Sequence, residues 1–333
     1  MLRSILNRSP EVTLAGETHF FDDLRPRMQG KSLRGMTGEE REACADYFRA
    51  QRVRPYGMRA DPEQSDLSRE ILLTTAEALG DNVDAVFEAY CRVWAEENHA
   101  RIWGEKTPRH IFRIDDIFQA FPKARVVCMV RDPRAVVASY RDWEYQGGLP
   151  ADGNPDYQAA IAEDYKRKHA SYHIVIATLM WRAAANAAFS AQEKHSAERV
   201  RIVRYEDVVD APAETARDVA EWIGIEFDQK MLNVPLHNSS ATRFEAAAGV
   251  SKAPNQRWQK VLSDSEIGII QKIARTPMQR AKYEFAPGRA SLTALLSAYG
   301  TVPLAVIRAA RANRSRYSSL PKYMLRRIKA AMH

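Results

Sequence analysis

In VCMVRDPRAVVASY (127–140) an apolar run stops at Val130 and a guanidinium, Arg131, follows at once. Asp132 can cap a helix, Pro133 suits its first turn, and Ser139 falls about two turns further on. A ligand at the carboxyl edge of such a strand meets a fixed cation and a hydroxyl. The competing reading is that Arg131 and Asp132 pair with each other and cap the helix. Two other segments have a related form. GEKTPRH (104–110) sets Lys106 ahead of a Pro that starts a helix, a place where a lone Lys is ordinarily a solvated turn residue. RYEDVVDAP (204–212) offers the aromatic face of Tyr205, with Glu206 and Asp207 opening a turn, and alone it is an ordinary strand end and cap. The combination carries the weight.

These residues need strands to hold them. ARVVCMV (124–130) is continuous and apolar, as a parallel strand covered on both faces must be. RVRIVRY (199–205) follows a helical stretch from about 171 to 194 rich in Ala, Met and Trp, and the weaker strand RIWGEK (101–106) precedes a helix from about 109 to 120. Strands and helices alternating at these intervals imply βαβ units and a parallel sheet. Helical periodicity covers 37–50, 66–79 and 82–98, as in Val83, Val86, Phe87, Tyr90, Val93 and Trp94. Further helices are expected at about 212–223, closed by Gly224, and after RWQKVLSDS. No strand is expected ahead of 101: MLRSILNRSPEV reads as a helix with an apolar stripe of Leu2, Ile5 and Leu6.

The chain has 333 residues, 45% of them hydrophobic, which supplies a substantial core. Three widely spaced cysteines, Cys44, Cys91 and Cys128, form no CxxC pair and no even-numbered framework. That argues against a structural zinc site and a secreted disulfide scaffold, and makes a reducing cytoplasm the expected location. The formal charge of +7 is concentrated at the end: residues 308–333 hold eight Lys or Arg and no Asp or Glu. The body is then nearly neutral and has no nucleic-acid reader motif, so a nucleic-acid partner is not expected.

Taken in order, EKTP, FPKARVVCMVRDPRAVVASY, a Trp-bearing helix with RYEDVVDAP, and KAPNQRW resemble the sulfotransferase family that uses 3′-phosphoadenosine 5′-phosphosulfate, over roughly residues 1–285. The resemblance implies an α/β fold with a P-loop NTPase-like parallel sheet flanked by helices and helical insertions. The sulfotransferase domain would span 1–288, with a helical insert at about 30–100, and a basic helical extension would follow at 289–333. It implies that Arg131 and Ser139 hold the 3′-phosphate, that Tyr205 packs on the adenine, and that Lys252 belongs to a late phosphate-binding loop. The Arg and Gly that flank this Lys in many relatives are Ser251 and Ala253 here. Cytosolic aryl and steroid members place a His base two residues after the strand-three Lys, but here the stretch is Lys106, Thr107, Pro108. SPEVTLAGETHFF instead resembles tyrosylprotein sulfotransferases and their bacterial relatives, which implies Glu17 as the base, with His19 and His110 as rivals, and Lys106 as the group that neutralises the leaving phosphate oxygen. The donor acts as co-substrate, the acceptor carries a hydroxyl, and no metal is required.

The family's Ser-Gly-Thr-Thr type loop, which cradles the 5′-phosphosulfate, does not occur in this sequence. The expectation is that translation starts upstream or that the gene is truncated, and that residues 1–333 alone bind the donor poorly. The alternative function is then a catalytically impaired sulfotransferase-like binding protein. A nucleotide-dependent kinase is not expected, since no GxxxxGK[ST] occurs and the carboxylates near the motifs form no evident magnesium set. The basic tail is expected to be a solvated pair of helices packed on the domain, broken near Pro303 and Pro321, or else a contact with anionic membrane.

Overall fold

The computed structural model describes residues 1–53, 60–142, 155–234 and 257–314. The architecture is α/β, rich in helices, with short strands whose carboxyl ends carry the chemistry-bearing residues. Among the described residues the strands form two two-stranded sheets, β1 (Val12–Ala15) with β2 (Ile102–Glu105) and β3 (Val126–Val130) with β4 (Val200–Arg204). The chain divides into two compact units, Met1–Val126 with Ala213–Val234, and Val127–Pro212 with Pro235–His333.

In the first unit β1 and β2 run parallel, with Val12 opposite Ile102 and Ala15 opposite Glu105. Both strands therefore end at the same edge, the geometry that gathers loop residues into one site. β1 corrects the sequence reading, which placed no strand ahead of residue 101. Four residues of VTLA are too few for periodicity to register, and their strand character comes from pairing with β2. The helix expected over the opening residues is confined to Leu2–Leu6, with Leu2, Ile5 and Leu6 all buried.

Three helices of the insert, Gly38–Val53, Arg69–Leu79 and Val83–Glu97, follow the expected periodicity. Side-chain caps fix two of their starts: Ser68 accepts from Glu70 N and Ile71 N, and Asn82 accepts from Ala85 N. Such caps are worth about 1 kcal/mol each. The inward faces meet in an aromatic core: Phe20 is fully buried, stacks on Phe87 at 4.7 Å, and lies 5.7 Å from Phe48. Burying a Phe of this kind contributes about 1.5–3 kcal/mol. The Pro212–Ile223 helix ends as expected at Gly224, whose φ of +84° lets the chain reverse while its N–H and that of Ile225 reach Ala220 O.

In the second unit β3 leads into the Pro133–Arg141 helix, and the 22-residue Ile174–His195 helix leads to β4. The helix that follows the 257–263 stretch, Asp264–Ile273, starts with a capping box in which Ser263 and Glu266 bond reciprocally. Gly268 on this helix is required by close approach: a Cβ there would lie 2.2 Å from Ala290 N. That contact locks the 289–290 crossing against the helix. Two short helices follow, Leu292–Gly300 and Val302–Ala312, with Pro303 inside the first turn of the second. Pro321 lies outside the described residues.

Candidate active site

The parallel register of the first unit sets two loops side by side. Lys106 N donates to Ala15 O at 3.3 Å, so the residue after β2 is tied to the end of β1. From these loops Glu17 and Lys106 form an ion pair through Oε1 and Nζ. Both remain open to solvent, with side-chain exposures of 38% and 45%. His19 Nε2 lies 3.7 Å from the other oxygen of Glu17. His19 holds a left-handed backbone (φ +56°), which turns the chain from this polar edge into the aromatic core at Phe20.

Beneath the pair lies a carboxylate that sequence reasoning missed. Glu105, the last residue of β2, has a side chain only 5% exposed and accepts Thr18 N at 2.8 Å, Thr18 Oγ1 at 2.9 Å and Thr107 Oγ1. Its second oxygen faces His110 Nδ1 at 3.1 Å. Burial alone would raise its pKa, but the His110, Thr107 and Thr18 contacts outweigh that and hold the carboxyl below its ordinary range. Glu105 thereby clamps the residues that follow Glu17 and Lys106. His110, expected from the sequence as a rival base, is buried in this clamp with its ring edge-on to Phe21. A second brace comes from the insert, where Tyr47 OH donates to Thr18 O. The sequence signal for Glu105 was only its place at a strand end, because Thr18, which gives it two of its hydrogen bonds, lies 87 residues away.

The second unit has its own strand-end site. Arg131 follows β3 directly, and its guanidinium lies over the Tyr205 ring at 4.5 Å, a cation–π contact worth about 0.5–1 kcal/mol. Trp181 Nε1 donates to Arg131 O at 2.8 Å and so fixes the backbone there. Burial raises the Tyr205 phenol. Asp132 caps the helix as expected, through Arg134 N at 2.8 Å, and the guanidinium it takes is that of Arg134, with Nη2 to Oδ2 at 2.6 Å. Arg134 also donates to Gln271 at 2.9 Å and covers Trp258 at 4.1 Å. Arg134, inside the first turn, can fold back on its own cap, whereas Arg131 leaves the strand toward Tyr205.

Glu206 completes this junction. One oxygen accepts Asp132 N at 3.0 Å and the other accepts Tyr283 OH at 2.7 Å. Burial, and then the Glu206 charge, push the Tyr283 phenol far above its ordinary range and keep it a donor. Tyr205 and Glu206 begin a helix, Tyr205–Asp210, rather than the turn read from sequence. Ser139 is half-buried on the Pro133–Arg141 helix. Lys252 lies outside the described residues. Among the described residues no cluster of three or more His, Cys, Asp or Glu side chains could hold a metal.

Comparison with known proteins adds three findings. The model of the sulfotransferase family matches residues 1–229. Among solved structures the chain is similar to the sulfotransferase domain from the curacin biosynthetic pathway, at 16% identity and a TM-score of 0.47, covering 86% of this chain and 93% of that one. It is also similar to the sulfotransferase domain from the Synechococcus PCC 7002 olefin synthase, at 14% identity and a TM-score of 0.49, covering 86% and 90%. No curated protein matches it significantly in sequence.

Proposed function

The chain belongs to the sulfotransferase family, and from that premise we propose that it moves a sulfuryl group from 3′-phosphoadenosine 5′-phosphosulfate to an acceptor hydroxyl. The observation that carries the reading is the Glu17–Lys106 ion pair at the shared carboxyl edge of β1 and β2, exposed above and clamped from below by Glu105. A carboxylate and an ammonium are the two groups such a transfer asks for. The new bond forms between the acceptor oxygen and sulfur as the bond from sulfur to the phosphate oxygen breaks. The acceptor proton goes to Glu17, and the charge left on the phosphate oxygen is offset by Lys106.

Mutual pairing orders both groups before an anionic donor competes for the ammonium. Once Lys106 turns to the donor, the Glu17 oxygen it held can accept a proton. Holding both in place supplies the alignment on which an in-line displacement depends. Arg131 and Ser139 are assigned to the 3′-phosphate, and Tyr205 to the purine. A guanidinium beside an aromatic face suits a phosphorylated nucleoside, since one carries charge and the other a stacking surface. The three cysteines are free and buried, which suits the reducing cytoplasm that we propose as the protein's location. The acceptor class is left to experiment: a carbohydrate, a lipid, a small molecule or a tyrosine hydroxyl.

The test is incubation of the chain with sulfur-35-labelled donor and a panel of hydroxyl acceptors, with products identified by the added sulfate in mass spectrometry. Transfer is expected to fall by about 10²- to 10⁴-fold in kcat for Glu17→Gln, at unchanged donor affinity. Full activity in that variant would remove Glu17 from the role. Donor binding without transfer to any acceptor would mark the chain as a binding protein.

A further inference from the structure

The Leu292–Gly300 and Val302–Ala312 helices belong to the second unit and meet at Thr301. Leu295 packs with Val175, Ile269 and Ile273, and Ala305 and Ala310 are buried. Arg308 donates to Ala170 O and Tyr172 O at 2.7 and 2.9 Å, which fixes the second helix against the Pro155–Ser171 helix. The outward faces are not those of an ordinary surface helix. Leu292 is 76% exposed, Leu296 73% and Tyr299 48%, at spacings of four and three that place them on one stripe. Leu304, 64% exposed, and Ile307, 47% exposed, extend the apolar character onto the second helix. A helix facing water normally turns such a stripe inward.

Charge says what covers this face. From Phe285 to the end the sequence holds nine Lys or Arg and no Asp or Glu. Beside the stripe, Leu292, Leu296 and Tyr299 wall a groove of about 460 Å³ that also carries Arg182 and Lys272. Apolar side chains with Arg182 and Lys272 beside them, on a stretch of sequence without an acidic residue, fit a surface that is apolar inside and anionic outside. A second copy of this chain would instead bring like charge against like charge.

We propose that this face docks on the surface of an anionic lipid bilayer, with the Leu292, Leu296 and Leu304 side chains entering the boundary between headgroups and acyl chains and the cations facing lipid phosphates. The helix pair lies along the membrane rather than across it, because Leu295, Ala305 and Ala310 keep their inner sides on the protein. The proposal concerns binding and stands apart from the transfer chemistry.

The test is co-sedimentation of the full chain with vesicles of phosphatidylcholine alone and of equal parts phosphatidylcholine and phosphatidylglycerol. The chain is expected to pellet with the anionic vesicles, to remain in solution with the neutral ones, and to dissociate as salt rises. The pair Leu292→Ser and Leu296→Ser should weaken partitioning by about a hundredfold. The pair Arg182→Gln and Lys272→Gln should weaken it by about 25-fold, since each cation near an anionic surface strengthens binding by about fivefold. Circular dichroism checks that each variant is folded, and the charge pair provides the readout if the leucine pair unfolds. Failure to pellet with anionic vesicles, equal binding to neutral vesicles, or unchanged binding in the folded variants would overturn the proposal. So would a dimer in sedimentation equilibrium that the leucine substitutions dissolve without any vesicle binding, which would make the face a contact between copies.

Discussion

Two strand ends in this molecule bury a carboxylate, and they satisfy it in opposite ways. At the end of β2, Glu105 is held by a backbone N–H, two hydroxyls and an imidazole, with no Lys or Arg bonded to it among the described residues. After β3, Asp132 is held by Nε and Nη2 of the Arg134 guanidinium. The first arrangement lets the nearby cation, Lys106, face solvent and Glu17. The second assigns one arginine to structure and sets another, Arg131, over Tyr205. In both places a buried anion organises the backbone beside a strand-end cation, Lys106 in one and Arg131 in the other. The lesson is that the residue types best suited to chemistry are not the ones that hold the site together.

The largest effect on stability should come from breaking the second arrangement. Arg134→Ala leaves Asp132 buried without its partner and should cost about 3–5 kcal/mol, read as a fall in the denaturant midpoint. A stability near wild type would mean that the pair is not structural. Next, Glu105→Gln removes the charge while keeping the shape, and should cost about 1–3 kcal/mol because its donors lose their strong acceptor. Its transfer rate should fall as well, since the substitution loosens Thr18 and Thr107, the residues that follow Glu17 and Lys106. A loss of stability alone, with full kcat, would separate the clamp from the chemistry.

Acid sharpens the same contrast. Because the Glu105 carboxyl is held below its ordinary range in the fold, the unfolded chain takes up the proton first as pH falls. Its contribution is intact above the ordinary carboxylate pKa of about 4.3 and is lost as pH drops through the lower folded value. Urea midpoints measured downward from about pH 6 should therefore fall more steeply for wild type than for Glu105→Gln. Parallel curves would show that Glu105 titrates normally. The smallest effect is predicted for Arg131→Ala, about 0.5–1 kcal/mol of stability through the lost Tyr205 contact. Its consequence should appear in donor KM. If stability collapsed instead, Arg131 would belong with Arg134.

Much of this was legible in the sequence where the local signal was strong. The β-rich runs ending at Val130 and Tyr205 became β3 and β4 because five consecutive strand residues in each case leave few alternatives. The periodic helices of the insert, and Gly224 as a helix stop, follow from the same local rules. β1 escaped notice because its four residues are defined by a partner some ninety positions away. The choice between Arg131 and Arg134 for Asp132 was equally hidden, since RDPR offers the carboxylate a guanidinium on either side and only the helix geometry selects one. Glu105 stood within the GEKTP motif, but its role depends on Thr18 and His110, which no spacing rule connects to it.

His19 and Phe20 give the position of Glu17 a mechanical origin. Two residues separate the exposed carboxylate from Phe20, a ring wedged among Phe21, Phe48 and Phe87, and one of the two sits in a backbone conformation with little freedom. Such a short, stiff linkage transmits displacement instead of absorbing it. Repacking the insert by as little as a methyl group at Phe48 or Phe87 would move the carboxylate through the Phe20 ring. A shift of about 1 Å at a reacting group can cost about a hundredfold in rate. The aromatic cluster is thus the gauge against which the proposed catalytic edge is aligned, and the part of the insert least open to change is its packed interior rather than its water-facing surface.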